Sequence, residues 1–187
     1  MKKTDELLLD AALSIFHEKG YHLTRVSDIV KQAGVSQGTF YLYFKSKEEI
    51  YAKLVDQFLE RILLSLEELS IQLEPLDDVD GKKELIYHTF RFFYENRKMA
   101  NLTFTNQVET PSINEIIEQR DQAIVAFIKK VIRSSEPYNQ FSDEELDIAA
   151  SGIHAMFIHL NYKWFNEDSV DERYIDLLAG VVFRMIM

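Results

Sequence analysis

The sequence contains no cysteine and little glycine or proline, six and three residues respectively. The absence of cysteine excludes disulfide bonds and metal sites built on thiolates. The scarcity of glycine and proline disfavours a β architecture, which needs many tight turns, and favours long helices. No stretch approaches the roughly 18 consecutive apolar residues of a membrane-spanning helix, so we expect no membrane segment.

A secretory leader is also not indicated. Lys2 and Lys3 resemble the basic start of a signal peptide, but Asp5, Glu6 and Asp10 interrupt the segment that a leader would need to keep apolar. No small-residue cleavage site appears either, so we expect a cytoplasmic protein.

The chain has 187 residues, of which 47% are hydrophobic and 12% aromatic. This is enough for one sizeable core and a small additional module. Residues 1–50 contain seven basic and seven acidic residues, so the whole net charge of −10 comes from residues 51–187. Because an acidic surface repels DNA, any DNA contact must come from the first fifty residues.

Helical spacing of apolar residues runs through nearly the whole sequence, and no segment alternates with the period of a strand. The clearest break is residues 74–81. The sequence therefore predicts an all-α fold of about nine helices. The predicted helices cover residues 4–19, 25–33, 37–44, 46–73, 81–98, 100–109, 112–134, 142–165 and 169–186.

Four of these helix starts carry the pattern Ser-x-x-Glu. In such a capping box the serine oxygen accepts from a free amide of the first turn, and the glutamate accepts from the serine amide. The pairs are Ser46/Glu49, Ser112/Glu115, Ser142/Glu145 and Ser169/Glu172.

The stretch from Gly20 to Ile50 predicts two short helices joined by a tight turn at Gly34. We expect Thr24 to cap the first helix and Ser36 the second. This is a helix-turn-helix arrangement, whose second helix can enter the major groove of DNA. Its small core is predicted from Ile15, Phe16, Val26, Ile29, Val35, Phe40 and Phe44.

The remaining residues of the second short helix and the position beyond it face outward and have chemistry that suits DNA. Glutamine can bond adenine edges, leucine can contact a thymine methyl, and threonine, tyrosine and lysine can reach phosphates. A glycine in this helix allows the backbone to approach DNA closely. The outward set is Gln37, Gly38, Thr39, Tyr41, Leu42, Tyr43 and Lys47.

These residues closely resemble the TetR family of bacterial repressors, over about 45 residues. The positions that fit its pattern are Gly20, Tyr21, Thr24, Val26, Ile29, Ala33, Gly34, Val35, Ser36, Gly38, Tyr41, Tyr43, Phe44, Lys47 and Glu48. Two positions depart from it. Val30 replaces the usual alanine, so that either the two helices cross more widely or Val30 faces outward, and Arg25 replaces a small hydroxyl residue.

The resemblance implies a DNA-binding domain at residues 1–46 and a ligand-sensing and dimerisation domain at residues 47–187. It implies DNA contacts by Arg25, Ser36, Gln37, Thr39, Tyr41, Tyr43 and Lys47. Gln37 and Leu42 are the candidates for reading bases, whereas Tyr41, Tyr43 and Lys47 are expected to hold phosphates.

The resemblance also implies a homodimer formed by the last two helices, and a ligand cavity between the middle helices. Aromatic residues at helical spacing are also what an ordinary core would show, so that alternative stays open for each residue. The candidate ligand-binding residues are His88, Arg91, Phe104, Gln107, Arg120, Phe127, His154, Phe157 and Asn161.

The sequence thus predicts a transcriptional repressor that binds double-stranded DNA at an inverted-repeat operator. A small apolar or aromatic effector is expected to release it from the operator. One alternative is a DNA-binding regulator that acts without a ligand or that depends on a corepressor. Another is a helical module that binds proteins. We expect no enzyme, cofactor or metal site, because the sequence contains no glycine-rich phosphate loop, HExxH or GxSxG motif.

Overall fold

The computed structural model describes residues 3–73, 79–105, 108, 110–165 and 171–187. These residues form nine α-helices, one short 3-10 turn at Tyr138–Gln140 and no strand. The predicted all-helical fold with an N-terminal helix-turn-helix is confirmed. The helices are α1 (Thr4–Lys19), α2 (Val26–Ala33), α3 (Gln37–Tyr43), α4 (Lys47–Gln72), α5 (Val79–Glu95), α6 (Arg97–Thr105), α7 (Pro111–Ile132), α8 (Asp143–Trp164) and α9 (Arg173–Ile186).

The chain divides into two compact units. The first contains the described parts of residues 1–58 and 98–117, and the second those of 59–97 and 118–187. The predicted boundary after residue 46 divides the chain into a DNA-binding domain and a ligand-sensing domain, whereas these two units are defined by packing. The boundary stays a prediction. None of the described helices is both long and apolar enough to cross a membrane.

In the first unit α2 packs against α1 and α3. Phe16 of α1, Ile29 of α2 and Phe40 of α3 are fully buried. Val30 is buried as well, so it does not face outward. Gly34 ends α2 with a φ of 70°, a left-handed conformation that glycine adopts without the steric cost that a Cβ imposes.

An aromatic cluster completes this unit. The ring of Tyr51 lies 5.6 Å from that of Phe16 and 4.9 Å from that of Tyr21, measured between centroids. The Tyr51 hydroxyl donates a hydrogen bond of 2.8 Å to the carbonyl of Leu102. Burial raises the pKa of Tyr51.

In the second unit α5 packs against α8 and α9, and α8 packs against α9. The ring centroid of Phe90 lies 5.0 Å from that of Phe157 and 6.4 Å from that of Phe165. At the surface, Lys129 of α7 forms ion pairs with Asp143 and Asp147 at 2.7 and 2.5 Å.

Two of the predicted helix caps are confirmed. Ser36 accepts from the amide of Thr39 at 3.1 Å. Ser142 accepts from the amide of Glu145 at 3.3 Å, and the Glu145 carboxylate accepts from the Ser142 amide at 2.7 Å. This bond also lowers the pKa of Glu145.

At Ser46 only half of the predicted capping box forms. Ser46 accepts from the Glu49 amide at 3.1 Å, but the Glu49 carboxylate accepts from the amide of Lys45, one residue before the serine. Ser169 lies outside the described residues, and Glu172 directly precedes α9.

Two cap predictions were wrong. Thr24 does not cap α2, because its hydroxyl donates to the carbonyl of Gly20 at 2.8 Å. The residue before α2 is Arg25, whose amide donates to Asp28 at 3.0 Å. Ser112 lies inside α7, which begins at Pro111.

Candidate DNA-binding and effector-binding sites

Helix α3 is anchored to the first unit by one residue and turns most of its other side chains to solvent. Phe40 is fully buried, whereas Gln37, Gly38, Tyr41 and Tyr43 are exposed. Leu42 has the largest exposed fraction of any large apolar side chain described, 82%. Since burial in the chain itself does not explain these side chains, they form a surface available to a partner.

The start of α3 is fixed by two hydroxyl groups. Ser36 accepts from the Thr39 amide, and the two hydroxyl oxygens lie 2.9 Å apart. Ser36 is exposed, and Thr39 is half-buried. Ser36 therefore holds the backbone of the first turn, where free amides can also meet a phosphate.

Arg25 lies at the start of α2 with an exposed side chain. Its amide is bonded to Asp28, which also pairs with Lys19 at 3.3 Å. The hydrogen bond from the Arg25 amide is the main cause of a lowered pKa of Asp28, and Lys19 lowers this pKa further. The backbone at Arg25 is thus held in place while its guanidinium remains accessible to an anion.

Lys47 differs from the other predicted DNA contacts, because its ammonium is engaged inside the first unit. It donates to the carbonyls of Tyr21 and Thr24 at 2.6 and 2.9 Å, and it lies 4.2 Å from the centroid of the Tyr21 ring. Partial burial lowers its pKa. This geometry assigns Lys47 to holding the loop before α2, and its contact with phosphate stays a prediction.

The second unit contains a cavity with apolar walls, which includes two of the predicted effector-binding residues, Phe127 and Phe157. The full lining is Leu66, Lys82, Leu85, Ile86, Thr89, Phe127, Ile128, Val131, Ile132, Ile153, Phe157, Ile186 and Met187. The structure thus brings together residues of α4, α5, α7, α8 and α9.

Three further candidates carry or face buried polar atoms. His88 Nε2 and Asn161 Oδ1 are buried and have no hydrogen-bond partner in the described part of the chain. His154 Nε2 lies 3.8 Å from Asp121 Oδ1. Burial lowers the pKa of His154 and raises that of Asp121, and each partly counters the other's shift.

None of these three residues lines the cavity, and neither do Arg91, Phe104 and Arg120. Arg91 bonds to the hydroxyl of Tyr87 at 2.6 Å and is 42% exposed, and Arg120 pairs with Glu60 at 3.5 Å. Phe104 belongs to the first unit, where its ring centroid lies 6.4 Å from that of Phe58. Gln107 lies outside the described residues.

Sequence reasoning missed Lys82 and Ser135. Lys82 is 4% exposed and donates to the hydroxyl of Ser135 at 2.6 Å. A signal was present, since Lys82 shares a helical face with Leu85, Ile86 and Thr89 at spacings of three, four and seven residues. A lysine on an otherwise apolar stripe is the exception to look for.

Comparison with known proteins decides the family. The family model described as bacterial regulatory proteins, tetR family, matches residues 8–54. An uncharacterised HTH-type transcriptional regulator of Bacillus subtilis, YdgC, is 30% identical over 156 residues, which are 82% of this chain and 76% of that protein. The chain belongs to the TetR family of DNA-binding transcriptional regulators.

Solved structures of two regulators share the fold over nearly the whole chain. The fatty acid degradation regulator FadR from Bacillus halodurans has a TM-score of 0.82 at 22% identity, covering 100% of this chain and 96% of that one. FadR from Bacillus subtilis, solved with stearoyl-CoA, has a TM-score of 0.77 at 25% identity, covering 97% and 96%.

Membership of the TetR family identifies the helix-turn-helix as the DNA-binding element. It does not identify the role of each residue in that element. The predicted DNA contacts Arg25, Ser36, Gln37, Thr39 and Tyr41 all lie on α3 or next to the α2 and α3 starts. Which of them reads a base stays a prediction.

Proposed function

We propose that this TetR-family protein is a homodimeric repressor that binds an inverted-repeat operator in the cytoplasm and leaves it when a small apolar effector binds the second unit. The exposed surface of α3 carries the proposal. This seven-residue helix buries one side chain in the chain itself and leaves its glutamine, leucine and tyrosine side chains exposed. Packing within the chain therefore does not explain these exposed side chains, and contact with DNA does.

Homodimer formation is supported by apolar side chains that the chain itself does not cover. On α9, Leu177, Val181 and Met185 recur every four residues and are 55%, 46% and 66% exposed. On α8, Ile148 and Tyr162 are 73% and 43% exposed. Two apolar helix faces, one on each of two neighbouring helices, fit a second copy of the chain around a two-fold axis.

Such a dimer accounts for an inverted-repeat operator. Two copies of α3 related by a two-fold axis read two half-sites in opposite orientation, about 34–36 Å apart or a multiple of this. The acidic excess of residues 51–187 favours contact with DNA through residues 1–50.

An effector role for the second unit is supported by its cavity, whose walls include Phe127, Phe157 and Ile153. The structural relative FadR was solved with stearoyl-CoA, a ligand with a long apolar part. Helix α4 has residues in both units, so a tilt of α4 on effector binding would change the spacing of the two α3 helices. A coupling of about 1–3 kcal/mol gives a 5–150-fold change in DNA affinity.

The test is an electrophoretic mobility assay on the promoter DNA of the protein's own gene. We expect a retarded band that an unlabelled inverted repeat removes and unlabelled random DNA of the same length does not. Small apolar compounds added to the complex should release the DNA. Stronger retardation on addition would identify a corepressor instead, and no retardation at low salt would refute the proposal.

A further inference from the structure

We propose that Lys82 anchors the carboxylate of the effector, which makes the effector a short apolar carboxylic acid. This inference deepens the effector part of the proposed function and rests on it. Two features of the second unit support it: a buried cation for which the described residues provide no anionic partner, and a cavity wall that is otherwise apolar.

The first feature is the charge of Lys82. Its side chain is 4% exposed, and its one hydrogen bond in the described part of the chain goes to the hydroxyl of Ser135, itself 8% exposed. No described carboxylate forms an ion pair with it. A buried ammonium is costly unless an anion balances it, so this position suits a molecule that brings an anion.

The second feature is the wall around it. Of the thirteen lining residues only Lys82 and Thr89 have polar side chains. The hydroxyl of Thr89 donates to the carbonyl of Leu85 within the same helix at 2.8 Å. Lys82 is therefore the one charged residue of a wall that is otherwise apolar, which matches a molecule with one anionic end and an apolar body.

The hydrogen bonds can be satisfied on both sides. An ammonium has three hydrogens, and the Ser135 oxygen accepts one of them. Two remain for the oxygens of a carboxylate. A doubly charged phosphate would bring more negative charge than this single lysine balances, so a monoanion fits better.

The cavity itself is small. Its volume is about 60 Å³, whereas a cavity of about 150 Å³ holds benzene. The surrounding helices must therefore move apart to admit an acid with a chain of several carbons.

The experiment is calorimetric titration of the full chain, without DNA, with octanoate and with octan-1-ol. Both probes have the same apolar chain, and they differ in the charged end. We expect octanoate to bind at least about tenfold more tightly, as one charge-assisted bond in a buried site supports. Equal affinities, or no octanoate binding by the folded protein, would overturn the proposal.

Two variants localise the effect. Lys82→Met keeps the length of the side chain and removes its charge, so it should abolish the preference for octanoate over octan-1-ol. Lys83→Met, at the exposed neighbouring position, should leave the preference unchanged. A preference that survives in folded Lys82→Met would sink the proposal. If that variant fails to fold, the comparison of the two probes on the unaltered protein still decides.

The mobility assay separates this proposal from the proposed function. If DNA is bound and other apolar compounds release it while octanoate does not bind, the repressor stands and the carboxylate anchor fails. If octanoate binds through Lys82 but DNA is never retarded, the anchor stands and the repressor fails.

Discussion

Single residues in the first unit show two opposite departures from ordinary burial. Leu42 is an apolar side chain left 82% exposed, and Lys47 is a charged side chain whose ammonium is held by carbonyls of its own unit. The first suits contact with another molecule, and the second suits the stability of the unit. Substitution at each kind of position should therefore affect different measurements.

Gln37 and Tyr41 separate base reading from phosphate binding. Gln37→Ala should lower the affinity for the operator by about 1–3 kcal/mol and leave the affinity for random DNA nearly unchanged. Tyr41→Phe should weaken both alike, because a phosphate contact does not depend on sequence. Fluorescence anisotropy titrations on both DNAs measure this, and equal losses for Gln37→Ala would contradict the assignment.

Lys47 should matter for folding. Lys47→Met removes the hydrogen bonds to the carbonyls of Tyr21 and Thr24, and we expect the free energy of unfolding to fall by about 1–2 kcal/mol. Lys45→Met, at an exposed position two residues earlier, should change it by less than about 0.5 kcal/mol. Urea denaturation of both variants measures the difference. Equal stability of the two variants would show that Lys47 does not stabilise the fold, which would leave DNA binding as its role.

At the scale of helices and turns, the predicted caps were correct where the hydroxyl residue lies directly before a helix. Ser36 and Ser142 cap their helices as expected, because each lies directly before the first turn. Thr24 and Ser112 do not occupy that position, and their hydroxyls donate instead to the Gly20 carbonyl and the Glu48 carboxylate. The Glu48 oxygen lies 64 residues away in sequence, a distance that local patterns do not reach.

The same limit applies to the effector site. Helical spacing identified Phe127 and Phe157, which share the cavity. It did not separate them from Phe104, which packs in the first unit. The bond between Lys82 and Ser135 joins residues 53 positions apart, so no local pattern predicts it. The one signal in the sequence was the charged residue Lys82 on an otherwise apolar face of α5.

The turn at Gly34 gives a prediction at this scale. Gly34→Ala should lower the free energy of unfolding by about 1–2 kcal/mol, because a φ of 70° brings a Cβ close to the following carbonyl oxygen. No heavy atom beyond Gly34 and its two chain neighbours lies within 4 Å of that Cβ, so the cost comes from the local backbone conformation and not from contacts with the rest of the fold. Gly34→Asn should lose less, since asparagine tolerates this conformation. Equal losses in thermal denaturation would point to another cause.

For the whole molecule, the distribution of charge and of uncovered apolar surface supports one arrangement. The acidic excess lies in residues 51–187, and the exposed apolar stripes of α8 and α9 lie in the same part of the chain. Pairing through these stripes would bury apolar surface in that part and leave the two α3 helices outside the interface. Dimer formation and DNA reading would then use separate surfaces.

A matched pair of substitutions tests this arrangement. Ile148 of α8 and Ile71 of α4 are 73% and 67% exposed, so lysine at either position should cost the single chain little. If α8 pairs with its copy in a second subunit, Ile148→Lys places two like charges in the interface, and the protein should become monomeric at micromolar concentration. Ile71→Lys should remain dimeric.

Sedimentation equilibrium measures both variants, and the mobility assay then reports the consequence for DNA. A monomer presents one α3 helix, so Ile148→Lys should lose retardation of the inverted repeat although its reading surface is unchanged. Unaltered protein should also lose affinity when about five base pairs, half a helical turn, are inserted between the half-sites. Insertion of about ten should not restore it, because the half-sites then lie about 34 Å further apart than the two reading helices. A dimeric Ile148→Lys, or indifference to the five-pair insertion, would show that the two reading helices are not held at a fixed distance through α8.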